Sequence, residues 1–210
     1  MLHWLGFAIS CLALGVSGVT AWLTLFRRGR LVMTQPTTVF LGPDGLAFER
    51  GRSKVYLRTL LYCTAKRGYV LESLHLSLQR NEGKQNFNIW VYGENGKLRR
   101  GSGLFVPQEG VTFDHHFLLP EDGAEFIFLP GAYTLSVFAR GVGERSATQL
   151  TSVRLSINES QAAALAQPRT GIFFDWGPDQ QAYHPHLQTR SLPEPEVQKL
   201  LGLIEGRSAA

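Results

Sequence analysis

The sequence predicts a mainly β protein: an antiparallel β-sandwich preceded by one transmembrane α-helix and followed by short helices. Residues 1–26 contain no Asp, Glu, Lys or Arg, and short apolar or alternating runs separated by Gly and Asn turns fill residues 38–157. We divide the chain into an anchor with a basic flank (1–30), a linker (31–37), the sandwich (38–157), a helix with an extended latch (158–190), and a short C-terminal helix and tail (191–210).

The composition is that of a folded protein with one domain. Of 210 residues, 44% are hydrophobic and 18% charged, which is enough apolar surface for a core. A net charge of +4 is too small to indicate a nucleic-acid site, so we expect no nucleic-acid partner. The two cysteines, Cys11 in the apolar run and Cys63 in a predicted strand, belong to segments that do not meet, which excludes a disulfide scaffold.

The apolar run from Trp4 to Phe26 indicates a membrane span, and we expect the lipid bilayer as a partner. As a helix it measures about 34 Å, which exceeds the hydrocarbon thickness of about 30 Å. A cleaved signal peptide ending at Ala21 is the alternative. The absence of a basic n-region and the continuation of the run to Phe26 favour the anchor.

Basic residues after the run predict the orientation. Arg27, Arg28 and Arg30 follow it directly and no side-chain charge precedes it, so the positive-inside rule places the domain in the cytoplasm. A periplasmic domain is the alternative, since many membrane-tethered sandwich domains face outward. Basic residues in predicted strands and turns would attract anionic lipid if they share the membrane-proximal end: Arg50, Arg52, Lys54, Lys66, Arg67, Arg99 and Arg100.

Seven or eight strands are predicted within the sandwich. They are a broken edge strand (Val39–Leu41 and Leu46–Phe48), Val55–Cys63, Tyr69–Leu78, Phe87–Tyr92, Leu98–Val106, Val111–Leu118, Tyr133–Ala139 and Leu150–Ile157. In Tyr69–Leu78, Val70 shares the apolar phase of Leu74, Leu76 and Leu78. Asn95-Gly96 predicts a two-residue hairpin turn.

The segment Pro130-Gly131-Ala132-Tyr133-Thr134-Leu135-Ser136-Val137 resembles the Gly-x-Tyr strand of immunoglobulin-like and fibronectin-III-like domains. The resemblance covers this strand and the strand rhythm of residues 38–157, and it implies that Tyr133 hydrogen-bonds back to the main chain at a corner. The inter-sheet cysteine pair of antibody domains is missing. More loosely, the layout resembles bacterial single-pass membrane proteins with a sandwich domain, which implies the inner membrane.

Three elements are predicted after the sandwich. Asn158–Gln161 has the spacing of a capping box before a short helix, Ala162–Ala166. Ile172–Trp176 reads as one more strand or as an apolar latch on the sandwich, and Pro193–Gly206 as a short amphipathic helix.

Catalytic and metal motifs are weak. Asp114-His115-His116 resembles a phosphoesterase motif, but adjacent strand residues face opposite ways, so we expect His115 half-buried between Phe113 and Phe117. His184 and His186 share a side of an extended segment and, with Asp175, would suit zinc. A metal-dependent hydrolase or metal-binding protein is therefore the alternative function.

The leading hypothesis is a non-enzymatic, membrane-tethered interaction domain without a cofactor, which would serve as an accessory subunit of a membrane protein assembly. Trp90, Tyr92 and Trp176 are its candidate binding residues, because aromatic side chains dominate interface hot spots. The competing interpretation is that all three complete the core. The sequence leaves the protein partner and the oligomeric state open, and a carbohydrate ligand is a third possibility.

Overall fold

A computed structural model describes residues 2–27, 29–44, 53–94, 97–120 and 126–189. The chain begins with helix α1, Leu2–Ala21, which continues through a π-helical segment, Trp22–Phe26. One helix of the described chain, His3–Phe26, is long and apolar enough to cross a membrane, and it is not buried against the rest of the protein. Its apolar side chains therefore lie on the surface.

Thirteen β-strands and a second helix follow in the described part of the chain. They are β1 (Leu31–Met33), β2 (Thr38–Pro43), β3 (Ser53–Cys63), β4 (Tyr69–Arg80), β5 (Gly83–Phe87), β6 (Ile89–Glu94), β7 (Lys97–Arg100), β8 (Leu104–Val106), β9 (Val111–Leu118), β10 (Gly131–Gly141), β11 (Thr148–Ile157), α2 (Glu159–Leu165), β12 (Thr170–Gly177) and β13 (Ala182–Thr189).

The strands form two antiparallel sheets, which confirms the predicted mainly β class. Sheet A has the order β13-β12-β2-β3-β9-β6-β7, and β1 pairs with the end of β3. Sheet B has the order β11-β10-β4-β5, and β8 pairs with the start of β4. Alternate residues of both sheets supply one continuous apolar core, including Val55, Leu57 and Leu61 of β3.

The predicted inward-facing phase of β4 is wrong at the start of the strand. Leu74, Leu76 and Leu78 are buried as expected, but Val70 is exposed and Leu71 is buried in its place. The pairing between β4 and β10 shifts register at this point, since Ser73 lies opposite Arg140 and Leu71 opposite Gly141. Such a bulge adds one residue to a strand and reverses which side chains face the core.

The segment predicted as a linker and the segment predicted as a strand or latch both belong to sheet A. Leu31–Met33 forms β1 and pairs with residues 61–63 of β3, so only part of residues 31–37 connects elements. Ile172–Trp176 lies within β12, which pairs with β2 and with β13. Strand pairing therefore extends beyond residue 157.

The chain crosses from sheet B to sheet A between β5 and β6, and back again between β7 and β8. Leu98–Val106, predicted as one strand, is therefore two strands in different sheets. Gly101 lies at the second crossing, where its N–H donates to the Trp90 carbonyl (2.8 Å). A Cβ at Gly101 would overlap the Trp90 indole, so a glycine is needed for this close approach.

Two predicted local contacts are confirmed. The Tyr133 hydroxyl donates to the Leu129 carbonyl (2.6 Å), four residues upstream at the start of β10. In the capping box of α2, the Gln161 N–H donates to Asn158 Oδ1 (2.8 Å) and the Asn158 N–H donates to Gln161 Oε1 (2.9 Å). Both contacts fix a point where the chain changes direction.

Three predictions lie outside the described residues: the edge-strand half Leu46–Phe48, the turn Asn95-Gly96 and the helix Pro193–Gly206. The residues that flank the predicted turn pair directly, Glu94 with Lys97, in the β6–β7 hairpin.

Candidate functional site

Trp90 is a core residue and not a surface anchor. Its side chain is 4% exposed, and its indole N–H donates to His115 Nδ1 (3.1 Å) between the sheets. The crossing from sheet B to sheet A reverses the phase of Phe87–Tyr92, so that Trp90 turns inward. The interpretation in which Trp90 completes the core is therefore the correct one for this residue.

Tyr92 is half-buried and packs against the same cluster. Its ring centroid lies 5.3 Å from that of Trp90 and 5.2 Å from that of Phe113. Tyr92 stands opposite His115 in the pairing of β6 with β9. Its main contacts are thus within the molecule.

Trp176, at the end of β12, lies beside an open groove. Its ring centroid is 5.0 Å from that of Tyr183, the residue opposite it on β13. The Tyr183 hydroxyl donates to the Pro36 carbonyl (2.7 Å) and accepts from Gln35 Nε2 (2.9 Å). Burial raises the pKa of Tyr183 to about 12, so the hydroxyl stays protonated and keeps its donor at neutral pH.

The groove runs between the two sheets on one open side of the sandwich and has a volume of about 520 Å³. Strand β11, at one edge of sheet B, forms one wall; β12 and β13, at one edge of sheet A, form the other. The residues that line it are Gln35, Ala132, Ser152–Ser156, Phe174, Trp176, Gln181–Tyr183 and Pro185. It is thus a partly aromatic slot with a strand edge on each side.

Of the three residues predicted as metal ligands, Asp175, His184 and His186, the structure pairs His186 with Asp175. On β12 and β13, Asp175 lies opposite His184, and its Oδ2 is 3.2 Å from His186 Nδ1. Asp175 Oδ1 accepts from the Thr38 hydroxyl (3.0 Å), which links the pair to β2. Among the residues that the structure describes, no three His, Cys, Asp or Glu side chains are close enough to hold one metal ion.

Asp114, His115 and His116 separate across the sheet, as the strand geometry predicts. Asp114 accepts from the Tyr56 hydroxyl (2.9 Å), and burial together with this carboxylate raises the pKa of Tyr56. His116 packs its ring 5.0 Å from that of Tyr56 on this outer face. His115 faces inward and is fully buried, more than the half-burial expected. No shared site forms from the three residues.

His115 is a fully buried titratable residue, and the sequence analysis underestimated its burial. Desolvation, followed by the neighbouring His116, lowers its pKa to about 4. Because Nδ1 accepts from Trp90, the neutral ring carries its proton on Nε2, and this atom has no hydrogen-bond partner among the described residues. The signal for complete burial was that His115 shares the inward-facing phase of β9 with Phe117.

The basic residues separate into several environments. Arg27 and Arg30 are exposed at the end of the helix, whereas Arg28, Arg50 and Arg52 lie outside the described residues. The Lys54 ammonium is buried and pairs with Asp44 (2.9 Å). Arg99 and Arg100 belong to β7, at the far edge of sheet A.

Lys66 and Arg67 lie in the turn that contacts Arg30, four residues after the helix ends at Phe26. The Arg30 N–H donates to Thr64 Oγ1 (2.9 Å), and the Thr64 N–H donates to the Arg30 carbonyl (3.1 Å). The turn after β3 therefore lies beside the chain segment that follows the helix.

Comparison of the chain with protein-family models, curated proteins and solved structures finds no match.

Proposed function

We propose that this chain is a membrane-tethered, non-enzymatic interaction domain that binds an extended segment of a protein partner, as an accessory subunit of an assembly in the bacterial inner membrane. The observation that carries the proposal is the groove of about 520 Å³ with a sheet edge on each wall. A sheet edge presents backbone donors and acceptors that an added strand can pair with.

Of the two edges, β11 is better suited to pair with a partner strand. Strand β13 contains Pro185, which lacks a backbone donor and is typical of protected edge strands. Strand β11, Thr148–Ile157, contains no proline and offers ten residues. We therefore expect the partner's backbone to pair with β11 while its side chains rest on the opposite wall.

Trp176 and Tyr183 supply that wall with aromatic area. Because Tyr183 is fixed by hydrogen bonds to Gln35 and Pro36, its ring is held in place before binding. A preorganised aromatic wall loses little conformational entropy on association, which favours affinity.

The apolar helix supports the tether, and the arginines after it support a cytoplasmic domain. We further propose that the sandwich is immunoglobulin-like. The orders β2-β3-β9-β6 and β11-β10-β4 correspond to the two sheets of such domains, and the Tyr133 hydroxyl occupies the expected corner.

Site-specific crosslinking in native membranes tests the groove. A photoreactive amino acid replaces Ala182, which borders the groove, in the full chain; Leu98, exposed at the far edge of sheet A, is the matched control position. We expect a discrete protein adduct from position 182 and none from position 98. Trp176→Ala should lower the adduct yield about tenfold, the effect of losing one interface hot spot.

A second variant separates binding from folding, since Trp176 also packs on Tyr183. Ser156→Arg places bulk at an exposed position of the groove wall without removing a core contact, and should also abolish the adduct. Thermal unfolding of both variants in detergent checks that the domain stays folded. Equal adducts from positions 182 and 98, or full yield in folded Ser156→Arg, would contradict the proposal.

A further inference from the structure

Three apolar side chains stand exposed side by side at one end of sheet B. Val70 is 52% exposed, Phe105 56% and Val142 65%. Val70 and Phe105 are paired residues of β4 and β8, and the Val142 N–H donates to the Val70 carbonyl (3.0 Å). We call these three residues the apolar tip. Exposed apolar clusters on a folded domain mark contacts with proteins or membranes.

The apolar tip is held rigidly by the turn that carries Val142. The Glu144 carboxylate accepts from the Tyr69 hydroxyl (2.7 Å) and from the Gly141 N–H (3.1 Å), and the Glu144 N–H donates to the Gly141 carbonyl (3.0 Å). Gly143 adopts φ +82°, a conformation that glycine tolerates best. Val142 is thus presented at a fixed position instead of folding back onto the sheet.

The bulge in β4 is the reason that Val70 belongs to this surface. Without the register shift opposite Gly141, the alternation of β4 would turn Val70 towards the core with Leu74. The strand instead buries Leu71 and exposes Val70 at its first pleat.

The apolar tip lies at the end of the domain where the chain leaves the helix. The Phe105 ring rests against Gly68, where a Cβ would collide with it, and Gly68 closes the turn that contains Lys66 and Arg67. The same turn pairs with Arg30 through Thr64. Arg30 follows the helix end at Phe26 by four residues, which span at most about 14 Å.

Basic charge accompanies the apolar tip. Lys66 and Arg67 are exposed, and neither forms an ion pair within the described residues. Apolar side chains flanked by free basic residues suit the boundary between acyl chains and anionic headgroups, and each basic charge near such a surface strengthens the contact about fivefold.

We propose that the apolar tip together with Lys66 and Arg67 forms a second membrane contact, which seats this end of the domain on an anionic lipid surface. The inference rests on the proposed tether, because the helix is what brings this end within reach of the bilayer. A lipid surface is favoured over a protein partner because both charge and chain continuity point to the bilayer.

Fluorescence quenching on the full chain in nanodiscs tests the proposal. Val142→Cys, in a Cys11→Ser background, carries an environment-sensitive dye, and Ile127→Cys is the matched exposed apolar position at the opposite end of the domain. Native Cys63 is buried, and the Cys11→Ser parent reports any labelling there. The nanodiscs contain phosphatidylcholine alone or with phosphatidylglycerol, plus a lipid with a nitroxide near its headgroup.

We expect quenching at position 142 but not at position 127, and stronger quenching with phosphatidylglycerol. Lys66→Ser/Arg67→Ser should weaken the anionic-lipid effect, with each lost charge worth about fivefold in contact strength. Lys84→Ser is the control, because Lys84 lies on β5 at the distal end of the domain, and it should leave the anionic-lipid effect unchanged. Absence of quenching at position 142, or equal quenching with both lipids, would overturn the proposal.

Alkaline carbonate extraction of the same chain from liposomes distinguishes failure of the proposed tether from failure of the second membrane contact. A chain that stays in the membrane while position 142 remains unquenched overturns the second contact alone. A chain that is extracted overturns the tether, and with it the reason to expect this end of the domain at the bilayer.

Discussion

At the residue scale, His115 makes the stability of the domain depend on pH. Its pKa is about 4 in the folded protein and 6.5 ordinarily, because the buried ring resists protonation. The unfolded chain therefore binds the proton first as the pH falls. The contribution of neutral His115 is fully present above about pH 6.5, declines between 6.5 and 4, and is lost below that, with a total difference of about 3 kcal/mol.

We expect the full chain in mild detergent to lose about 2 kcal/mol of unfolding free energy between pH 7.5 and pH 5 through this residue. Urea titrations followed by circular dichroism measure the loss. His115→Leu cannot take up the proton, so its unfolding free energy should fall less over the same interval, whatever its stability at pH 7.5. Parallel pH profiles of the parent and His115→Leu would show that His115 is not the group responsible.

At the element scale, the link between β7 and β8 depends on one glycine. Gly101 lets the backbone pass directly over the Trp90 indole as the chain returns to sheet B. Gly101→Ala would force the methyl group into a buried ring with no room to move, and such overpacking costs about 1–3 kcal/mol. The measurement is the free energy of unfolding in urea.

Gly93→Ala is the matched control, because a Cβ there meets Asp114 at an ordinary contact distance of 3.4 Å on the neighbouring strand. We expect this variant to change stability much less than Gly101→Ala. Equal destabilisation by both variants would attribute the effect to the general cost of a side chain on these strands and not to the contact with Trp90.

The same elements explain how far the sequence predicted the fold and the site. Alternation located β3, β9 and β10, because the buried residues of each strand keep one phase along its length. The sequence misplaced Val70 and Trp90, because a bulge in one case and a crossing between sheets in the other reverse the phase, and neither event has a local signature. The candidate Trp176 borders the groove only because β12 and β13 extend sheet A, which is a long-range pairing.

At the scale of the whole molecule, the helix and the sandwich differ in where their apolar side chains lie. The sandwich encloses its own apolar core, whereas the described part of the chain offers no surface that covers the apolar side chains of His3–Phe26. Water is a poor solvent for such a helix, and its length and composition suit a lipid bilayer, as the proposed tether requires. The proposed cytoplasmic orientation rests on the three arginines that follow the helix.

We therefore expect the intact chain, expressed in bacteria, to resist alkaline carbonate extraction and to keep residues 1–26 by intact mass. Protease added to spheroplasts should leave the domain uncut, while the same protease should digest exposed loops once the membrane is permeabilised. Digestion in intact spheroplasts would reverse the assigned orientation without touching the tether. The tether requires that the domain stay covalently linked to residues 1–26. A mature chain that starts after Ala21 and is released by carbonate would therefore show that the apolar run is a cleaved signal peptide.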